Sequence, residues 1–226
     1  MMKNLKRISL AMALVMVMLA LTACGGGSEA PVTTKNEDGT LSAEETRALN
    51  VYVCAQYVNA DAAQELVDKL NESVEGLKDG TYKLEVTCVS TGSGEDPSMQ
   101  MAGMMKLTMA LAAQEVDVII ADELNAARNA RSDSFYALSD LFTADEIAAL
   151  GDRALSYELL DDEGNPSGEM GPACGVDVTG DSALVNVVGN AQVGAFVAGN
   201  AANLENAKDL MRALISREAA VQRNNA

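Results

Sequence analysis

The chain contains no histidine. Without imidazole it lacks the usual general base, the commonest zinc ligand and any Ser-His or Cys-His nucleophile. Its chemistry must rest on thiols, thioethers, carboxylates and neutral polar groups. The thiols are Cys24, Cys54, Cys88 and Cys174, with no CxxC spacing among them. Thioethers crowd one segment, as Met99, Met101, Met104, Met105 and Met109. Extracellular methionine clusters can hold Cu(I) through soft sulfur. The spacing of Met101, Met105 and Met109, however, is also that of a buried helix face, and core packing is the expectation. The acidic run Asp161-Asp162-Glu163 sits in DDEGNPSG and reads as a turn rather than a catalytic pair or a calcium site. With no tryptophan, three phenylalanines and five tyrosines, a stacking site for sugars or quaternary amines is not favoured. These residues point to binding rather than catalysis, with no cofactor and no metal.

The elements that must position these groups alternate between strand and helix. Residues 49–54 (LNVYVC) form a short apolar run of the buried-strand kind. Asp61 is placed to cap the next helix, in which Leu66, Val67, Leu70, Val74 and Leu77 make an apolar stripe. Residues 82–90 read as a second strand, residues 98–114 as a second helix and residues 116–121 as a third strand. This order implies parallel strands joined by right-handed crossovers. A short alanine-rich helix follows over 122–131, and Thr143-Ala144-Asp145-Glu146 is a capping box opening another. Residues 154–160 and 170–178 read as a hairpin, and 184–188 and 193–198 as strands. Asn203 caps a last amphipathic helix. The expected fold is α/β: a single three-layer lobe with a mainly parallel sheet and a small hairpin.

Ligands in open α/β sheets bind beyond the carboxyl ends of the strands. Gln56 follows the first strand, Ser90 and Thr91 end the second, and Asp122 with Asn125 follows the third. These five residues are the expected contacts for a small polar solute or anion. The plainer alternative is that Asp122 and Ser98 only cap helices.

The N-terminus carries an address. Residues 1–7 hold Lys3, Lys6 and Arg7 and no acid, and residues 8–20 are almost wholly apolar. That run is too short for a comfortable span of ~20 residues but suits a signal peptide. It ends in Leu21-Thr22-Ala23-Cys24, which resembles the lipobox of bacterial prelipoproteins. The resemblance implies cleavage before Cys24 and a diacylglyceryl thioether on its sulfur. Each buried CH₂ of such a chain contributes about 0.8 kcal/mol to anchoring. The expected organisation is a signal peptide over 1–23, a flexible polar tether over 24–46 and one domain over 47–226. The protein would sit at the cell membrane, on its extracytoplasmic face.

The whole chain has 16 basic and 33 acidic residues, net −17. Removal of 1–23 takes three bases and no acid, which leaves 13 against 33, or −20. Such a charge opposes nucleic-acid binding. The acids are dispersed and need no acid-specific partner.

The lipobox, the polar tether, the strand–helix–strand–helix–strand start and the run EVDVIIADELNAARNARSDSFYALSDLFT together resemble extracellular solute-binding proteins of the periplasmic binding protein class II type. The C-terminal NAQVGAFVAGNAANLENAKDLMRALIS resembles that family's closing strand and helix. The resemblance implies a second strand beside the first, a third on its other side, and an ABC permease as partner. It also puts Cys54 and Cys88 on neighbouring strands, where a structural disulfide or simply two small buried residues would fit. Family members have two lobes. Here only about fifty residues separate Asp122 from the strand expected near Leu184, against the roughly 80–100 that a second core needs. The expectation is one lobe with a reduced or missing partner. Two functions fit it: a lipid-anchored solute receptor, or a single-lobe interaction or dimerisation module.

Overall fold

The computed structural model describes residues 48–225 apart from 93–96, 162 and 190–191, and leaves the side chains of 97, 99 and 218–225 undescribed. The expected signal peptide, the expected lipidation site Cys24 and the expected tether therefore lie outside the described residues. The described residues belong to one compact unit. Among the described residues no helix is long and apolar enough to cross a membrane.

In chain order the elements begin β1 (Leu49–Ala55), α1 (Ala60–Ser73), α2 (Glu75–Lys78), β2 (Leu84–Ser90), α3 (Pro97–Ala112) and β3 (Val118–Asp122). There follow α4 (Glu123–Ala130), α5 (Leu138–Leu141), α6 (Ala144–Leu150), a 3₁₀ turn, β4 (Ala154–Leu155) and β5 (Glu158–Leu160). The chain closes with β6 (Pro166–Met170), β7 (Gly175–Asp177), α7 (Ser182–Val188), β8 (Val193–Val197) and α8 (Leu204–Asn225).

The fold is α/β around a six-stranded sheet of order β2-β1-β3-β8-β7-β4. β1 pairs in parallel with both β2 and β3, so the first three strands take the expected order. The expectation of a mainly parallel sheet is corrected beyond that point, because β8, β7 and β4 add antiparallel. The returning chain enters from the carboxyl edge, where β3 has just ended, so β8 runs back alongside it. β5 and β6 form the separate hairpin. Its turn is held by Asp161, whose Oδ1 accepts the backbone N–H groups of Glu163 (2.9 Å) and Asn165 (2.8 Å).

Strand side chains alternate between two cores with period two. Leu49, Val51, Val53 and Ala55 of β1, with Val118 and Ile120 of β3, face α1, α7 and α8. Tyr52, Cys54, Ile119 and Ala121 face the other way, toward Leu107 and Ala110 of α3, Ala126 of α4 and the stacked rings of Phe135 and Phe196. Each fully buried large aliphatic side chain contributes roughly 1.5–3 kcal/mol.

Several local expectations are corrected. Asn59, not Asp61, caps α1, its side chain accepting the N–H groups of Asp61 and Ala62. Residues 184–188 are helix, not strand. Their β-branched composition suggests a strand, but the Asp181 carboxylate accepts the Ala183 N–H at 3.0 Å and Gly189 closes the helix at φ +81°. Ala183, Leu184, Val187 and Val188 are buried on one side, so packing decides the outcome over propensity. Asn203 stands before α8 as expected, its carbonyl accepting the Ala207 N–H at 2.9 Å, while its side-chain amide donates to the Ala48 carbonyl at 3.0 Å. The Thr143–Glu146 capping box forms as the sequence implies.

The largest correction concerns α3. Its inward side is Leu107 and Ala110, while Met101, Met105 and Met109 are 67%, 58% and 66% exposed. Gly103 sets this orientation: a Cβ there would collide with the Ser90 carbonyl, so the helix lies against β2 on its glycine side.

Candidate binding crevice at the carboxyl ends of the parallel strands

β1, β2 and β3 all end at one edge of the sheet, and their last residues meet there. Asp122 is the hub. Its Oδ2 accepts the Gln56 backbone N–H at 2.7 Å, and its Oδ1 accepts both the backbone N–H of Asn125 (2.9 Å) and its side-chain amide (2.8 Å). The same amide donates to the Thr91 hydroxyl at 3.1 Å. Ser90 Oγ donates to the Gln56 carbonyl at 2.9 Å, and the Thr91 N–H donates to the Ala55 carbonyl at 2.8 Å. The five expected residues thus form one network.

Most of that network is internal. Thr91, Asp122 and Asn125 are buried, at 1%, 5% and 1% exposure, and they satisfy one another. Asp122 also caps α4, so the capping alternative describes part of its work. No described buried side-chain polar atom lacks a partner. The network therefore acts as a floor rather than as a set of open ligand groups.

Above this floor is an open crevice of about 470 Å³. Of the five residues, Gln56 and Asp122 line it, while Ser90, Thr91 and Asn125 stand outside its lining. The remaining walls come from Tyr57, Glu123, Leu124, Gly189 and Gln192, with Val188 behind. Sequence reasoning missed these. Glu123 and Leu124 follow Asp122 directly and could have been included with it. Gly189 and Gln192 could not, because they come to this edge through the α7 helix that the sequence suggests is a strand. Tyr57 is 62% and Leu124 46% exposed, an aromatic and an aliphatic group on the rim.

Two carboxylates and two amides line the crevice, and none of the described lining residues is basic. The arrangement suits a neutral or cationic polar molecule and disfavours an anion. Cys54 lies just beneath. Burial pushes its thiol up to about 12, and the Asp122 carboxylate adds to the shift, so it is no nucleophile at neutral pH.

Of the two alternatives for Cys54 and Cys88, register rules out the disulfide and leaves two unpaired residues on neighbouring strands. Cys54 stands opposite Val89, and Cys88 opposite Val53. One step of offset sends the two sulfurs to opposite faces of the sheet. Both are free, as is Cys174. Among the described residues no group of three or more Cys, Asp or Glu side chains converges as a metal site. Comparison with protein-family models, with characterised proteins and with solved structures finds no match to this chain.

Proposed function

We propose that this chain is a lipid-anchored extracytoplasmic binding protein, a single lobe of the class II solute-binding type. It holds a small neutral or cationic polar solute in the crevice above Asp122 and passes it to an ABC permease. The observation that carries the reading is the crevice itself. Its volume of about 470 Å³ falls within the range of small-molecule sites, roughly 300–1,000 Å³. It also lies where three strand ends converge, the usual position in open α/β sheets. The lipobox at Leu21–Cys24 and the β2-β1-β3 order of the first three strands support the family likeness. The exposed side chains of Gln56, Glu123 and Gln192 would supply the polar contacts and Tyr57 the apolar wall. A crevice open on one side holds its ligand weakly until something covers it.

A second reading is favoured by the exposed rim. Tyr57 and Leu124 present apolar surface where a second lobe would close, so a partner chain is the natural cover. In that case the crevice is a contact surface for another copy or another surface protein.

Thermal-shift screening of the mature chain against amino acids, amines, sugars and metal salts separates the two. The receptor reading expects a neutral or cationic hit whose affinity falls about tenfold to a hundredfold in Glu123→Gln or Gln56→Ala, the equivalent of ~1–3 kcal/mol. A hit that both variants bind unchanged rejects the site. Absence of any hit, together with dimers that Tyr57→Ala dissociates, replaces the receptor by the contact surface.

A further inference from the structure

We propose that Met101, Met105 and Met109 form a thioether site for a soft monovalent cation, Cu(I) or Ag(I), along the outer face of α3. The three side chains stand on successive turns of a regular helix, about 6 Å apart along its axis. Residues four apart project from the same face. All three are more than half exposed, so none is engaged in the core that their periodicity implies. Large apolar side chains exposed in a row need a reason.

The composition of the face gives one. The other exposed positions described on α3 are Ser98, Ala102, Lys106, Thr108 and Ala112. No exposed leucine, isoleucine or aromatic residue joins the methionines among the described positions of the helix, so a docking surface there would rest on thioethers and the small Ala102 and Ala112. A flexible thioether is a poor shape-specific contact but a good soft ligand, and soft sulfur selects Cu(I) over the hard cations that carboxylates prefer. The net charge of −17 favours any cation. Competing soft groups lie elsewhere. Cys54 and Cys174 are buried, and half-buried Cys88 faces the opposite side of the sheet from α3. Met104 is excluded because its sulfur accepts a hydrogen bond from Arg128 Nη1 at 3.0 Å.

The spacing makes the site a shared one. Met101 and Met109 are two turns apart, about 12 Å along the axis, so one ion is held by adjacent thioethers, either Met101 with Met105 or Met105 with Met109. Met105 belongs to both pairs.

The test is a titration of the mature chain, labelled with ¹³C-methyl methionine, with Ag(I) in chloride-free buffer and with Cu(I) under reductant. A Cys88→Ser variant serves as the thiol control. The proposal expects the methyl signals of Met101, Met105 and Met109 to move together and saturate at one ion. Those of Met104, Met211 and the isolated exposed Met170 should stay. Met105→Leu should weaken binding at least tenfold, whereas Met101→Leu or Met109→Leu should cost about twofold. Leucine is a good helix former of similar size at an exposed position, so the variants keep the fold. Equal shifts at Met170, equal effects of the three substitutions, or binding that disappears with Cys88→Ser would overturn the site. Silence of all three signals would leave the ridge as an apolar contact face.

Discussion

The Gln56 backbone N–H donates a 2.7 Å hydrogen bond to Asp122 Oδ2, tying the end of β1 to the end of β3 across the floor of the crevice. The same carboxylate holds the first turn of α4 through Asn125, and Asn125 reaches on to Thr91 at the end of β2. One buried side chain thus fixes three strand ends. Asp122→Ala removes a helix cap and orphans a buried donor, so it should cost about 2–4 kcal/mol in urea unfolding. Asp122→Asn keeps one acceptor oxygen and should cost less. If Asp122→Ala changes stability by under ~0.5 kcal/mol, the floor is not held as described.

The sheet register makes a second expectation about the cysteines. Cys54 and Cys174 are buried, with thiols raised by burial to about 12 and about 11; burial raises the Cys88 thiol as well, but Cys88 is only half-buried, on the edge strand, and is the most accessible of the three. Iodoacetamide at pH 8 should label Cys88 first, and the other two only on unfolding. Peptide mapping that finds a Cys54–Cys88 disulfide in the folded protein contradicts the register.

The capping box of α6 gives a pH signature. Glu146 Oε2 accepts the Thr143 N–H at 2.8 Å and the Thr143 hydroxyl at 2.9 Å, and its Oε1 accepts from Arg212 Nε at 3.0 Å. The Thr143 backbone bond first, then Arg212 and the Thr143 hydroxyl, hold its carboxyl down at about 2. Between that value and the ordinary glutamate range the unfolded chain binds a proton that the folded chain does not. Stability from this group is therefore fully present above about pH 4.5 and is lost as pH falls toward 2. Acid titration of thermal stability should show a shallower loss in Glu146→Gln than in the parent. Identical slopes would remove the cap from the acid response.

The proposed anchor rests on sequence alone, and its test is direct. Cys24→Ser should abolish metabolic fatty-acid labelling and leave precursor, or protein released from the membrane. Labelling and membrane retention that survive the substitution would refute lipidation at Cys24.

The sequence made the first half of the fold readable because its signals are local and mutually consistent. The apolar runs at 49–54 and 116–121 and the stripe from Leu66 to Leu77 each have one sensible partner, and a βαβαβ order leaves few topologies. The second half was harder. Residues 184–188 have strand composition, and only the burial of one side against α1 and the cap at Asp181 make them helical. The antiparallel direction of β8 follows from where the intervening chain re-enters, which no window of sequence contains. At the site, Asp122, Asn125 and Thr91 were legible as strand-end polar residues. Whether their polar atoms face a ligand or one another depends on the network of bonds and not on residue type. The Met101–Met109 face misled for a similar reason: its period fits a buried stripe, but Gly103 and Leu107 turn the other side inward.

The most direct test is native mass spectrometry of the chain purified from its own cells, with mild detergent present. The account predicts a monomer carrying one small neutral or cationic molecule, released on mild activation and absent from Glu123→Gln purified in parallel. A monomer that never carries a molecule, or one whose occupancy is the same in Glu123→Gln and Gln56→Ala, would contradict binding in the crevice above Asp122.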